Sequence, residues 1–436
     1  MDFTLEAFRV PPPMNVPAML FGQPEYTDWL DESMSWKRTC YIGDWSFLPQ
    51  THFRGPGVLD LFSDFSVNSF ARFPIGSSKH VVHPNSEGKV VHEGILTRLG
   101  EEEYVCHAEA GLWVRFQLER GDYRATAEAD DWFVFQVSGP TSLPLLLQMC
   151  GDDALLDVAY MHARPVTLAG HQVWALRQGM AGEVGFELQG PREIAKQVYD
   201  AIVEAGQKFG IRRLGSRTVP INHLENAVPT RSLDYVPAVF GPECADYVEQ
   251  VMSPRMYRHP HPSIAGSFEG RSLDDYYRDP VELNWTRNIK FDHDFLGATP
   301  LRELVDRPVR TLRTLVWNSD DVVEIYRSFF REGPAHTFLD MPRDTRGFMW
   351  ADQVERDGAP AGVSTSWGYS YYFRQVMSLA VMNVADAELG TEVQVVWGNP
   401  GDPQIRIRAT VARAPYKPDN GRGDLRQHLA SLGHQA

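Results

Sequence analysis

The chain has 436 residues, more than one hydrophobic core usually organises, so two domains are expected. Hydrophobic residues make up 43% and charged residues 23%, an ordinary globular balance, and no apolar run reaches the length of a membrane span. A net charge of −15 excludes broad nucleic-acid binding, which needs basic stripes to neutralise phosphates, while leaving room for a local basic pocket for a small anion.

The N-terminus is acidic early and broken by Pro11, Pro12 and Pro13, a pattern of neither a signal peptide nor a transit peptide. Cys40, Cys106, Cys150 and Cys244 lie far apart with no C-x-x-C pair, so free buried thiols in a reduced, cytoplasmic protein are expected. Trp132 to Ser138 alternates as a strand, with Phe133, Phe135 and Val137 on one face. Gly139-Pro140 ends it, and Thr141 or Ser142 then caps a short helix that closes before Gly151.

The next stretch is the most informative. From Arg177 to Leu188 the chain reads R-Q-G-M-A-G-E-V-G-F-E-L, with Gly179, Gly182 and Gly185 at spacing three. Glycines so placed, between the strand-like runs Val173–Arg177 and Phe186–Leu188, let the backbone turn tightly and approach a flat ligand. Phe186 and Leu188 then point one way and Glu187 the other. Glu187 is a solvated strand acid or a carboxylate aimed into a pocket, and the general habit of charged strand residues favours water.

A helix follows over about 191–209, with Ile194, Val198, Ile202 and Ala205 on one stripe and Gly210 past its end. Strand, helix, strand pair, helix is the rhythm of a sheet with helices packed on it. Beyond a boundary expected near Pro300–Pro308 the pattern turns to strands: Thr311–Trp317, Met377–Met382, Thr391–Trp397, and the alternation of Ile405 to Val411. The fold class expected is therefore α+β, with an antiparallel barrel or sandwich at the C-terminal end. The division expected is 1–305, 306–416, and a polar, loosely held tail over 417–436.

Other constellations are discounted. Asp292-His293-Asp294 cannot converge on one ion from three consecutive residues, and that segment reads as a loop entering a helix. His80 with His83, and His259 with His261, lack a third ligand at recognisable spacing and read as solvated loop histidines. Asp274-Asp275 reads as charge at a helix start. With no phosphate loop, no dinucleotide fingerprint and no serine elbow, a metal-free and nucleotide-free chemistry is expected.

The segment Arg177–Leu188 resembles the R-x-G-[YM]-[TA]-G-E-x-G-F-E stretch of the aminomethyltransferase family, the glycine-cleavage T-proteins. The order around it matches too: F-Q-V-S-G-P from Phe135, L-G-S-R from Leu214, L-E-N from Leu224, K-F-D-H-D-F-L-G from Lys290 and G-Y-S-Y from Gly368. The resemblance spans nearly the whole chain. Within the family it is similar to the tetrahydrofolate-dependent aromatic O-demethylases of the vanillate and syringate type. The markers are Met180-Ala181, the run from Gly215 to Glu225, and the segment Gly266 to Leu283.

The resemblance implies a fold, a cofactor and roles. Residues 1–305 become the folate- and substrate-binding region and 306–416 the barrel. Tetrahydrofolate is the implied cofactor and a small methoxyaromatic compound the implied substrate. Glu187 matches the carboxylate that grips the pterin ring, a job suited to two parallel acceptor oxygens. Gln136, Met180, Arg217 and Trp285 match cofactor-side positions, Arg217 and Trp285 being equally readable as a framework ion pair and a core aromatic. Glu93 matches an acid near folate N5. Departures from the vanillate pattern lie on the donor side. Phe240 stands where a tyrosine is expected, and Phe47 and Leu48 stand where histidines are expected. With Phe21 these imply an apolar substrate pocket, and Tyr235 and His107 are left as candidate proton donors.

Three readings follow: an O-demethylase of methoxylated aromatics, an S- or N-demethylase, and a non-catalytic folate-binding protein.

Overall fold

A computed structural model describes residues 4–9, 22–151, 153–252, 263–344 and 346–433. The chain divides by packing into two compact units, one of residues 1–17, 82–92 and 223–417, the other of 18–81, 93–222 and 418–436. The expected division followed chain order. The observed one interleaves, because the tail and the hairpin end at 82–92 each pack with residues distant in sequence.

The second of these units holds a six-stranded sheet and most of a five-stranded one. Its six-stranded sheet runs Ile211–Arg213, Cys40–Asp44, Trp132–Ser138, Gly185–Pro191, His171–Leu176, Ala163–Leu168. The first pair is parallel and the others antiparallel. Trp132–Ser138 and Gly185–Pro191 pair along their whole length, from Gly185 opposite Ser138 to Pro191 opposite Trp132. Phe133, Phe135, Val137, Phe186 and Leu188 face a core closed by the helices Ser142–Cys150 and Ala195–Gly206. Period two in the strands and a single apolar stripe on the helices bury the same core from both sides. Trp132–Ser138 is central, and Phe133 to Ser138 are all buried, so neither face meets water as a simple alternation would suggest.

The helix expected over 191–209 is a 3₁₀ turn at Arg192–Ile194, an α-helix over Ala195–Gly206 and a second 3₁₀ turn ending before Gly210. Thr141 does not cap its helix by side chain; its hydroxyl donates to the Phe209 carbonyl at 2.8 Å. The tail is not loose. Leu425–Gly433 is helical, and Leu425 is 2% exposed within the same core.

The five-stranded sheet runs Ser78–Pro84, Val90–Arg98, Glu103–His107, Gln50–Arg54, Thr126–Asp130, antiparallel from Val90–Arg98 onward. His80 and His83 sit in its first strand rather than in a solvated loop, and His83 is fully buried. His259 and His261 lie outside the described residues.

The first-named unit contains a closed six-stranded antiparallel barrel. Its order is Arg310–Trp317, Gln375–Asn383, Ala359–Ser370, Asp352–Arg356, Glu392–Trp397, Ile405–Ala412, and the last strand pairs back onto the first. Closure removes every open edge. Trp317, Trp350, Trp367 and Trp397 fill its core, Trp350 stacked on Trp397 with centroids 4.6 Å apart. The chain is thus α+β with a C-terminal barrel, as its strand pattern implies. The segment at Asp292 is a loop leading into the helix Ala298–Asp306. Among the described residues no group of three or more His, Cys, Asp or Glu is placed to hold a metal ion, and no helix is long and apolar enough to cross a membrane. Cys40, Cys106 and Cys244 are buried free thiols and Cys150 is half-buried.

Candidate functional site

Antiparallel register sets Glu187 directly opposite Gln136, on the sheet face away from the helices. Glu187 is only 8% exposed, so the solvated reading of this strand acid is corrected. Its neighbours explain how a carboxylate stays buried. Glu187 Oε1 accepts from Gln136 Nε2 at 3.3 Å and from Gln178 Nε2, and Oε2 accepts from Gln189 Nε2 at 3.5 Å. Three neutral amides surround one charge, and among the described residues no cation pairs with it. Burial therefore pushes the carboxyl up to about 7, against the three amides, which favour the ionised form.

Gln136 is itself fixed. Its Oε1 accepts from the Tyr41 hydroxyl and from the Met180 N–H at 3.3 Å. The glycine segment thereby returns to the strand that faces Glu187. Gly182 has a φ of +62°, a turn L-residues avoid, and Gly185 lies so close to Ser138 that a Cβ there would sit 2.5 Å from the serine side chain. Asn420 of the tail donates its backbone N–H to the Gly182 carbonyl at 2.9 Å and its side-chain amide to Glu183 at 3.0 Å. Arg177, buried, donates to the carbonyls of Val158 at 3.0 Å, Gly421 at 3.1 Å and Gly423.

An apolar cluster of Trp36, Tyr41, Trp45, Val134, Ala181 and Leu214 adjoins this group, and the expected substrate-side residues Phe47 and Leu48 pack on it. His107 ends the Glu103–His107 strand opposite Gln50 and is 5% exposed. Burial brings its imidazole down to about 4, with His52 lowering it further and neighbouring Gln189 opposing. His107 is consequently neutral near pH 7 and is not an imidazolium acid. Glu93 accepts from or pairs with His80 Nε2 at 2.9 Å. Arg217 pairs with Glu25, both about a quarter exposed, so a framework ion pair is part of its role.

Tyr235, Trp285 and Phe240 belong to the barrel-containing unit. Tyr235 and Trp285 meet edge to face at 6.3 Å, and Phe240 meets Phe8 edge to face at 5.4 Å. Phe21 lies outside the described residues. Sequence reasoning missed Gln178, Gln189, Tyr41, Gln50 and His52. Gln189 had a usable signal, since period two places it on the face of Glu187; Tyr41 and His52 are joined to the site only by pairing between distant strands.

Residues 15–245 match the family described as the GCVT N-terminal domain. The chain is 32% identical to sesamin methylene transferase of Sinomonas sp. over 410 residues, which is 90% of this chain and 89% of that one. It is 30% identical to syringate O-demethylase of Sphingobium sp. over 90% of this chain and 89% of that one. To the aminomethyltransferase of Saccharopolyspora erythraea it is 24% identical over 85% and 86%. The crystal structure of glycine cleavage system aminomethyltransferase T from Bartonella henselae superposes with a TM-score of 0.67 at 17% identity, covering 92% of each chain, which shows the shared fold.

Proposed function

The chain belongs to the aminomethyltransferase (GCVT) family of enzymes, and we propose that it moves the one-carbon unit of a methoxylated aromatic compound to tetrahydrofolate. The observation that supports this best is the buried Glu187 carboxylate, opposite Gln136 and ringed by amides. An uncompensated buried carboxylate is costly unless N–H donors reach it, and the edge of a reduced pterin supplies such donors. The residues fit the group: Glu187 and Gln136 would hold its ring edge, with Met180 beside them. When bound, tetrahydrofolate supplies a nucleophilic nitrogen, N5, as acceptor of the one-carbon unit.

The protein contributes alignment and dryness. Glu187 must be ionised to accept two N–H bonds, and its amides hold the oxygens in one orientation. Trp45, Phe47, Leu48 and Val134 offer an apolar wall against which an aromatic ring can exclude water. The aryl oxygen leaves as a phenolate whose conjugate acid has a pKa of about 10, so its departure needs a hydrogen-bond donor. No covalent bond to the protein is required. A second reading, in which the carbon moved is a methylene held between two aryl oxygens, is favoured by the 32% identity to a methylene transferase.

The test incubates purified protein with tetrahydrofolate and a panel of methoxyphenols, methoxybenzoates, methylenedioxybenzenes and methylated sulfur and nitrogen compounds. Freed phenol and one-carbon-loaded folate are measured together. Product from aryl ethers alone is expected. Product from sulfur or nitrogen donors alone, or saturable folate binding with no product from any donor, would overturn the proposal.

A further inference from the structure

On the five-stranded sheet, Gln50 lies opposite both His107 and Asp130, and His52 is two residues along the same strand. Side chains two apart share a face, so Gln50, His52 and His107 project to one side. The opposite side is taken by Thr51, against which Gly111 of the helix Glu109–Leu118 packs. Gln50, His52 and His107 are all buried, yet among the described residues Gln50 Oε1 accepts no hydrogen bond, the His107 ring nitrogens have only the Gln189 amide beside them and no well-formed bond, and His52 reaches only Asp130 at 3.4 Å. More than nine in ten buried polar groups in proteins are satisfied. Several orphaned atoms on one face mark a place where something else supplies the bonds.

Position says what that is. Gln50 Nε2 donates to the Leu48 carbonyl at 3.3 Å, joining this group to the apolar wall of Phe47 and Leu48. Gln189 neighbours His107 and donates to Glu187, joining it to the carboxylate group. We propose that Gln50, His52 and His107 form the oxygen-recognising wall of the donor subsite and select aromatics that set a phenol hydroxyl beside an ether oxygen over those with a carboxylate at that place. This deepens the one-carbon-transfer reading and rests on it.

The hydrogen-bond inventory drives the selection. A neutral imidazole offers one N–H and one lone pair, and Gln50 Oε1 offers lone pairs only. A phenol hydroxyl both donates and accepts, and an ether oxygen accepts, so the two together satisfy the wall. A carboxylate only accepts, leaving Gln50 Oε1 and two ring lone pairs facing it. Arg54, on the same strand, is engaged by Glu103 and Glu128 at 3.4 Å each, while Asp130 and Glu187 are acidic. Burial lowers both histidines below their ordinary range, so neither supplies the charge near pH 7.

The test is equilibrium binding by calorimetry, with and without tetrahydrofolate, using 2-methoxyphenol and 2-methoxybenzoate, in which a carboxylate stands in place of the phenol hydroxyl. 2-Methoxyphenol should bind at least about tenfold tighter than the benzoate, the worth of about one well-made hydrogen bond. His107→Leu and Gln50→Leu should each weaken 2-methoxyphenol about tenfold while folate affinity stays unchanged. His52→Gln, which keeps a donor and an acceptor, should retain most of the affinity and serves if a leucine variant fails to fold. Equal or tighter binding of the benzoate, or folded leucine variants with unaltered affinity for the phenol, would overturn the subsite. Phenol binding without any transfer to folate would instead overturn the one-carbon reading and leave the subsite standing.

Discussion

Glu187 is the residue at which protonation and ligand binding meet. Its carboxyl is lifted from an ordinary 4.5 to about 7, so the folded protein holds a proton that the unfolded chain releases. The stabilising term is fully present below 4.5 and is lost as pH rises to about 7, a difference of ~3 kcal/mol. Ligand binding runs the other way. A pterin edge needs the ionised carboxylate, so folate affinity should rise about tenfold per pH unit up to near 7 and then level off. Glu187→Gln should flatten that profile, lower affinity by roughly 1.5–3 kcal/mol, and raise thermal stability at pH 8. Folate titrations at pH 6 and 8 on both proteins check this; a wild-type affinity independent of pH would refute it. Sequence alone left Glu187 between water and a pocket, because exposure of a strand acid depends on what covers the face. The resemblance directed it inward. Gln178 and Gln189 stayed unread, since amides recur throughout sequences and only register shows that they converge on one carboxylate.

At the scale of elements, the pairing of Trp132–Ser138 with Gly185–Pro191 fixes which side chains face each other, and Gly185 makes that pairing possible. An added Cβ would lie 2.5 Å from both Cβ and Oγ of Ser138, whose hydroxyl already donates to the Val184 carbonyl at 3.1 Å. Gly185→Ala should therefore destabilise the protein by about 1–3 kcal/mol, the usual cost of overpacking. Ser138→Gly should recover part of the loss in the double variant, a non-additivity that denaturant unfolding can measure. Strictly additive losses would argue against the clash. Spacing had marked these glycines as a turn; that Gly185 instead makes room for a neighbouring strand is tertiary information. Barrel strands show the same limit. Ile405–Ala412 alternates legibly, whereas Ala359–Ser370, with its proline, glycines and a register shift between Thr365 and Gly368, offers no period to read.

At the scale of the whole molecule, the chain's end completes a unit begun four hundred residues earlier. Composition made 417–436 a loose polar tail, and three features of it outweigh that composition. Leu425 enters the helix-covered core, Gly421 and Gly423 accept from the buried Arg177 guanidinium, and Asn420 ties the Gly182 turn. Deleting 418–436 would expose a core leucine's partners and strand a buried cation. Burying such a leucine contributes about 1.5–3 kcal/mol and each charged hydrogen bond a similar amount, so a loss of at least ~3 kcal/mol is expected. Because the tail braces the turn that leads into Glu187, the effect should also be local. Hydrogen exchange should quicken at 177–191 while the barrel strands 310–317 and 375–383 keep their protection, and folate affinity should fall. Leu425→Ala, which spares the Arg177 and Asn420 bonds, should lower stability by about 2–5 kcal/mol yet preserve slow exchange at the turn. Uniform quickening across both units would mean that the tail stabilises the molecule without bracing the site. Unchanged exchange at 177–191 would remove the brace altogether.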